Sequence, residues 1–147
     1  MGVKNSYDFV LDCSVTMAWC FEDESSDCTD SILENFHKAT ALVPTIWSLE
    51  VANVLLLAKK NKRITEIQAA SFIDALSVLP IVVDQSTTSR AMHSIFVLAG
   101  QSDLTIYDAA YLELAIREKI PLLTLDKGLI KAAKKLRIPL KLNETDC

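Results

Sequence analysis

At 147 residues the chain can bury one good core but not two, so residues 1–147 read as a single domain. Half of it is hydrophobic, with mean hydropathy +0.25, which excludes a disordered chain; no apolar run approaches the roughly 20 residues of a membrane span. A net charge of −4 excludes a protein whose whole surface coats nucleic acid.

The charge is unevenly spread. Acids crowd residues 22–34, while Arg117, Lys119, Lys127, Lys131, Lys134, Lys135, Arg137 and Lys141 gather toward the C-terminal end and leave a local basic face. The start, MGVKNSYDFVLD, has no long apolar run before its first strand, and the expectation is a soluble, cytoplasmic protein without a membrane contact. Cys13, Cys20, Cys28 and Cys147 show no CxxC spacing and read as reduced thiols rather than a zinc site.

In chain order, residues 7–11 (YDFVL) form a buried strand closed by Asp12, with Ser14 two residues on. A short helix over 15–21 leads through the acidic segment into an amphipathic helix carrying Ile32, Leu33 and Phe36. A second strand, 41–43, stops at Pro44. The helix from Ile46 to about Lys60 is almost wholly apolar as far as Ala58, with only Ser48, Glu50 and Asn53 polar. Lys59, Lys60, Lys62 and Arg63 make a basic turn, and Thr65 with Gln68 has capping-box spacing for a helix through Phe72 and Leu76. A third strand spans 81–83, and a helix over 87–99 stops at Gly100 as its C′ residue. Thr105 caps a helix that buries Ala109, Leu112 and Ile116 and ends near Lys119, ahead of Pro121. A strand over 122–125 ends at Asp126, a helix covers 127–136, and 138–142 makes a last edge strand with Pro139 near its start. Short apolar strands alternating with helices imply a mostly parallel sheet covered on both faces.

Four acids stand out: Asp12 and Asp126 at strand ends, Asp108 in a first helical turn, and Glu50 in an apolar helix. The three aspartates each have a plain alternative as helix caps or members of a capping box. Glu50 has none, because a mid-helix carboxylate among Leu49, Val51, Val54 and Leu55 needs a partner, and no Lys or Arg lies within a turn. Acids at the carboxyl ends of parallel strands meet where such sheets bind ligands. Clustered carboxylates repel unless a cation holds them, and oxygen-only ligands select Mg²⁺ or Mn²⁺, an arrangement suited to phosphodiester hydrolysis without a histidine base.

VLDCSV (10–15), WSLEVANVL (47–55), LTIYDAAYLELA (104–115) and LLTLDKGL (122–129) together resemble the four motifs of PIN-domain ribonucleases, in particular the VapC toxins of toxin–antitoxin pairs. The resemblance covers nearly the whole length in the family's order. It implies an α/β PIN-like domain with a five-stranded sheet in order 3-2-1-4-5, and a metal-dependent endoribonuclease that cuts RNA. Asp12, Glu50, Asp108 and Asp126 would carry Mg²⁺ or Mn²⁺, while Ser14, Asn53 and Thr124 would orient the carboxylates. It further implies a homodimer and a cognate antitoxin. Lys59, Lys62, Arg63 and Lys127 are the candidates to receive RNA phosphates; Lys131 and Lys135 read as a solvated helix face, and Trp19 and Trp47 as core. Cys13 stands where Ala is commoner in the family.

Two other enzyme classes fit less well. A haloacid-dehalogenase-type phosphatase needs an acid two residues after Asp12, where Ser14 stands, and a receiver domain has no use for Glu50. The alternative from another class is a catalytically idle PIN module that only binds RNA or a protein partner.

Overall fold

The computed structural model describes residues 6–142. Four strands, β1 (Phe9–Leu11), β2 (Ala41–Val43), β3 (Ile81–Val83) and β4 (Leu122–Leu123), form one parallel sheet in the order β3-β2-β1-β4. Val10 pairs with Leu42 on one side and Leu122 on the other, which makes β1 an interior strand. All three of its residues are buried, and since alternate side chains point to opposite faces, both faces of the sheet are covered. The unbroken apolar triplets FVL and ALV, buried throughout, are what such a doubly covered parallel strand requires, while IVV of the edge strand β3 is only partly covered.

The helices are α1 (Cys13–Cys20), α2 (Asp27–Glu34), α3 (Trp47–Lys60), α4 (Glu66–Ser77), α5 (Thr87–Arg90), α6 (Phe96–Ser102), α7 (Ile106–Glu118) and α8 (Lys127–Lys135). α1 packs on α2 and α3, while α7 lies against β1, β4 and α8. Trp19 and Phe36 close the core beside β1 through edge-on ring contacts at 5.5–5.6 Å between centroids. No described helix is long and apolar enough to cross a membrane.

The expected fifth strand over 138–142 is not formed: only Leu140 bridges to Leu122, in parallel, on the outer side of β4. There the Leu122 N–H donates to Pro139 O at 2.9 Å and its carbonyl accepts from Lys141 N–H at 3.0 Å. β4 itself ends after two residues, not the four expected, and beyond it the N–H groups of Leu125 and Asp126 go to the hydroxyls of Ser14 and Thr124.

Three smaller expectations change as well. The helix over 87–99 is three pieces, α5, a wide-turn segment Ala91–Ile95 with His93 at φ −125°, ψ −105°, and α6, which runs through Gly100 and stops at Asp103 in the left-handed region. Ile116 is 43% exposed, outside the core that α7 shares with the sheet. Cys13 and Cys20 carry free thiols, but Cys28 is disulfide-bonded, contrary to the expectation of reduced thiols; Cys147 lies outside the described residues.

Candidate functional site

Asp12 follows β1 directly and stands at the N-terminal boundary of α1, yet its carboxylate makes no capping bond to that helix. It is turned across the sheet end and buried to 5% exposure. Ser14 Oγ and Thr124 Oγ1 both donate to Asp12 Oδ2, at 2.6 and 2.7 Å. The same two hydroxyls accept from the backbone beyond β4: Leu125 N–H reaches Ser14 Oγ at 2.9 Å and Asp126 N–H reaches Thr124 Oγ1 at 3.0 Å. Two hydroxyls thus lock the ends of β1 and β4 together and fix Asp12 relative to Asp126.

The other acids come from the expected elements. Asp126 caps α8, its Oδ1 accepting from Leu129 N–H at 2.9 Å, so the plain capping role is real for this residue. Gly128 sits so close that an added Cβ would stand 3.2 Å from that oxygen, which accounts for a residue without a side chain there. Asp108 lies in the first turn of α7, and its N–H is capped by Thr105 Oγ1 at 3.1 Å. Glu50, in the first turn of α3, accepts from the Tyr111 hydroxyl at 2.6 Å.

Electrostatically the four are one group. Burial raises the pKa of Asp12 most strongly, and Asp126 adds to it, against the hydroxyl donors from Ser14 and Thr124. Burial also raises Glu50, with Asp12 and Asp108 pushing the same way against the Tyr111 bond, and raises Asp108, with Asp126 and Asp12 adding. Burial and the surrounding anions push the Cys13 thiol up to about 12, so it is an inert neutral neighbour at pH 7. Asp12 is the hub: its charge is felt at Glu50, Asp108 and Tyr111.

Among the described residues no group of three or more His, Cys, Asp or Glu side chains stands close enough, as placed, to hold a metal ion. The donor set nevertheless fits a hard divalent cation. It is oxygen-only and partly desolvated, and burial with neighbouring acids raises the pKa of Asp12, Glu50 and Asp108, a condition that a shared cation relieves.

The remaining candidates divide. Arg63 and Lys127 line one cleft of about 690 Å³ with Cys13, Ser14, Leu125 and Asp126. Lys59 instead faces a groove with Leu56, Ile73 and Glu66, its Nζ 3.7 Å from Glu66. Lys62 is exposed in the turn after α3. Asn53 is exposed too, and among the described residues it makes no hydrogen bond to the four acids. Lys131 and Lys135 are exposed; Trp47 is buried and Trp19 half-buried, as core residues.

Sequence reading missed Tyr111, the hydrogen-bond partner of Glu50. Its position three residues after Asp108 was the available signal, since i and i+3 share a helix face. It also missed a half-buried ion network in which Arg117 bonds Asp84 at 2.8 Å and Glu113 at 3.0 Å. Its members come from α7 and the end of β3, 33 residues apart, which no local pattern reveals.

The fold and site define an open parallel α/β domain with carboxylates gathered at the carboxyl end of its central strand. The chain belongs to the PIN domain family, whose model matches residues 9–135. The solved structures that share the fold include the following three. VapBC2 from Rickettsia felis bound to a DNA fragment from their promoter is 21% identical, with TM-score 0.62, over 90% of this chain and 95% of that one. PAE2754 from Pyrobaculum aerophilum is 19% identical, with TM-score 0.60, over 86% and 84%. A toxin–antitoxin complex from Klebsiella pneumoniae is 20% identical, with TM-score 0.55, over 81% and 87%. No curated protein matches the chain by sequence.

Proposed function

We infer that the protein is a divalent-metal-dependent endoribonuclease that hydrolyses RNA phosphodiester bonds, the toxin of a toxin–antitoxin pair. The observation that carries this reading is Asp12, a carboxylate buried at the end of β1, held by two hydroxyls and facing the charges of the other acids. A fold gains nothing by desolvating mutually repelling anions unless a cation joins them.

Asp12, Glu50, Asp108 and Asp126 would hold Mg²⁺ or Mn²⁺, which when bound supplies Lewis acidity for attack of water on phosphorus. The chain's own residues prepare that step. Ser14 and Thr124 hold the Asp12 carboxylate in one orientation, and Tyr111 does the same for Glu50. Arg63 and Lys127 offer positive charge in the cleft beside Asp126, where phosphates flanking the scissile bond would lie. His37 and His93 are both exposed and no part of this group, so proton transfer falls to carboxylates and solvent. The products would carry 5′-phosphate and 3′-hydroxyl ends.

The toxin role rests on the VapC-like motifs, and it gains support from the fold shared with VapBC2 and the Klebsiella toxin–antitoxin complex. A cognate antitoxin, a homodimer and a cytoplasmic location belong to the same reading.

The test is cleavage of single-stranded RNA with Mg²⁺ or Mn²⁺ against an EDTA control. Asp12→Asn and Asp108→Asn should abolish cutting while circular dichroism stays that of the wild type; wild-type rates in either variant would mean that the ligands are wrongly assigned. One observation favours the second reading, an idle PIN module that binds RNA or a partner: the acids as placed do not close around an ion. Calorimetric titration with Mn²⁺ separates the two, because an idle module takes up none at these residues.

A further inference from the structure

The acidic segment after α1, which the proposed chemistry does not use, is folded onto a cation of the substrate cleft. Phe21 is buried, and the helical turn Glu22–Glu24 that follows it carries its carboxylates to the rim. Arg63 Nη2 lies 2.7 Å from Asp23 Oδ1 and 3.3 Å from Glu24 Oε2, and its guanidinium carbon stands 3.7 Å above the Phe21 ring. Arg63 and Glu24 both line the cleft that contains Ser14, Asp126 and Lys127, and the charge of Glu24 reaches Cys13, next to Asp12.

The placement of Arg63 is built in. Lys62 takes φ 58°, the left-handed region that a lysine enters only at a cost, and this lets Arg63 N–H close back on Ala58 O at 2.8 Å at the end of α3. A chain bent to aim one arginine at a cleft of anions, and then to cover it with two carboxylates, has the form of an exchange site. Carboxylate and phosphate oxygens compete for the same guanidinium fork.

We propose that Asp23 and Glu24 are intramolecular competitors for the substrate's phosphate: they occupy Arg63 in the free protein, and RNA binds by exchanging one phosphate for both. This rests on the ribonuclease reading and deepens it, since the turn sets how strongly the cleft discriminates against weakly held anionic ligands. Asp23 is 75% exposed at its side chain and Glu24 47%, so displacement needs no unfolding. Exposed, solvent-screened pairs of this kind are weak, so releasing them together is worth on the order of threefold to fivefold in affinity.

The experiment is fluorescence anisotropy of a labelled single-stranded RNA in Ca²⁺, without turnover, on four proteins: wild type, Asp23→Asn/Glu24→Gln, Arg63→Gln, and all three changes together. The expected result is threefold to fivefold tighter binding by the Asp23→Asn/Glu24→Gln protein, and no such gain once Arg63 is Gln. An equal gain in the Arg63→Gln background would reduce the effect to general charge and overturn the proposal, as would no gain at all with wild-type binding intact. Absence of RNA binding in every protein would instead bring down the ribonuclease reading, and this one with it.

Discussion

Thr124 and Ser14 spend their hydroxyls on one oxygen of Asp12, and the consequence is measurable. Thr124→Val keeps the shape of a buried side chain and removes the 2.7 Å bond, leaving Asp12 with one hydroxyl donor. Residues that orient a metal's ligands typically change metal affinity by about 10–100-fold when lost. Thr124→Val should therefore weaken Mn²⁺ binding by at least about tenfold in a calorimetric titration, with wild-type circular dichroism; unchanged affinity would remove Thr124 from the site. Tyr111→Phe tests the matching contact on Glu50 in the same titration, and the same direction is expected. The raised pKa values of Asp12, Glu50 and Asp108 carry a stability statement of their own. Each group binds its proton more tightly folded than at its ordinary value of 3.8 or 4.5, so in the window between ordinary and raised values the folded chain holds more protons than the unfolded one. Stability from these groups is fully present below the ordinary values and is lost as pH rises through the raised ones. In EDTA, Asp12→Asn should accordingly melt above the wild type at pH 7, with the gap narrowing as the pH is lowered through that window. Saturating Mg²⁺ at pH 7 should reverse the order by stabilising only the wild type.

Helix ends carry the next scale. α7 carries Asp108 in its first turn and, three residues on, the buried Tyr111 whose hydroxyl meets Glu50, and it stops at Lys119, which takes φ 57° so that its N–H can close on Ala115 and Ile116 carbonyls. A lysine in that conformation costs about 1 kcal/mol that glycine does not. Lys119→Gly should raise stability by about 1 kcal/mol, on the order of 4 °C in the melting temperature, and leave cleavage unchanged because this end of α7 is remote from Asp108. Loss of stability in urea titration would count against it. The same scale shows what local pattern can and cannot convey. The capping pair Thr65 and Gln68 and the strand bounds 41–43 and 81–83 were legible, because each is settled by neighbours in sequence. Gly100 was misread as a helix stop, since a glycine permits a left-handed turn but does not compel one, and Asp103 made it three residues later. The length of β4 was misread, and past its end the Leu125 N–H goes to Ser14, a residue 111 positions away. Of the candidate site, the elements that carry the four acids were legible, Tyr111 was open to a spacing that went unused, and the Arg117 network was not legible at all.

Across the whole molecule the proposed function raises the question of how an acidic chain would hold a polyanion. Of the four cations proposed for RNA, only Arg63 and Lys127 share the cleft with Asp126; Lys59 is turned to Glu66 in another groove. On α8, Leu129, Ala132 and Ala133 are buried while Lys131, Lys134 and Lys135 face solvent. At 1.5 Å rise per residue those lysines recede from the cleft, Lys135 by about 12 Å relative to Lys127. A short RNA seated at the acids would thus neutralise two phosphates, and each contributes roughly −0.7 to the slope of log affinity against log salt for a single strand. The expected slope for a hexanucleotide is about −1.4, measured by anisotropy between low and physiological salt at fixed Ca²⁺. A slope near −2.8 would bring Lys59 and Lys62 into the contact, and one near −3.5 the α8 row, either of which would relocate the bound strand. A slope this shallow gives the chain little sequence-independent grip on RNA. Selection of a cutting site would then depend on the shape of the cleft and on the acids themselves, which is how a protein of net charge −4 would act on RNA, under the proposed function, without being held by all of it.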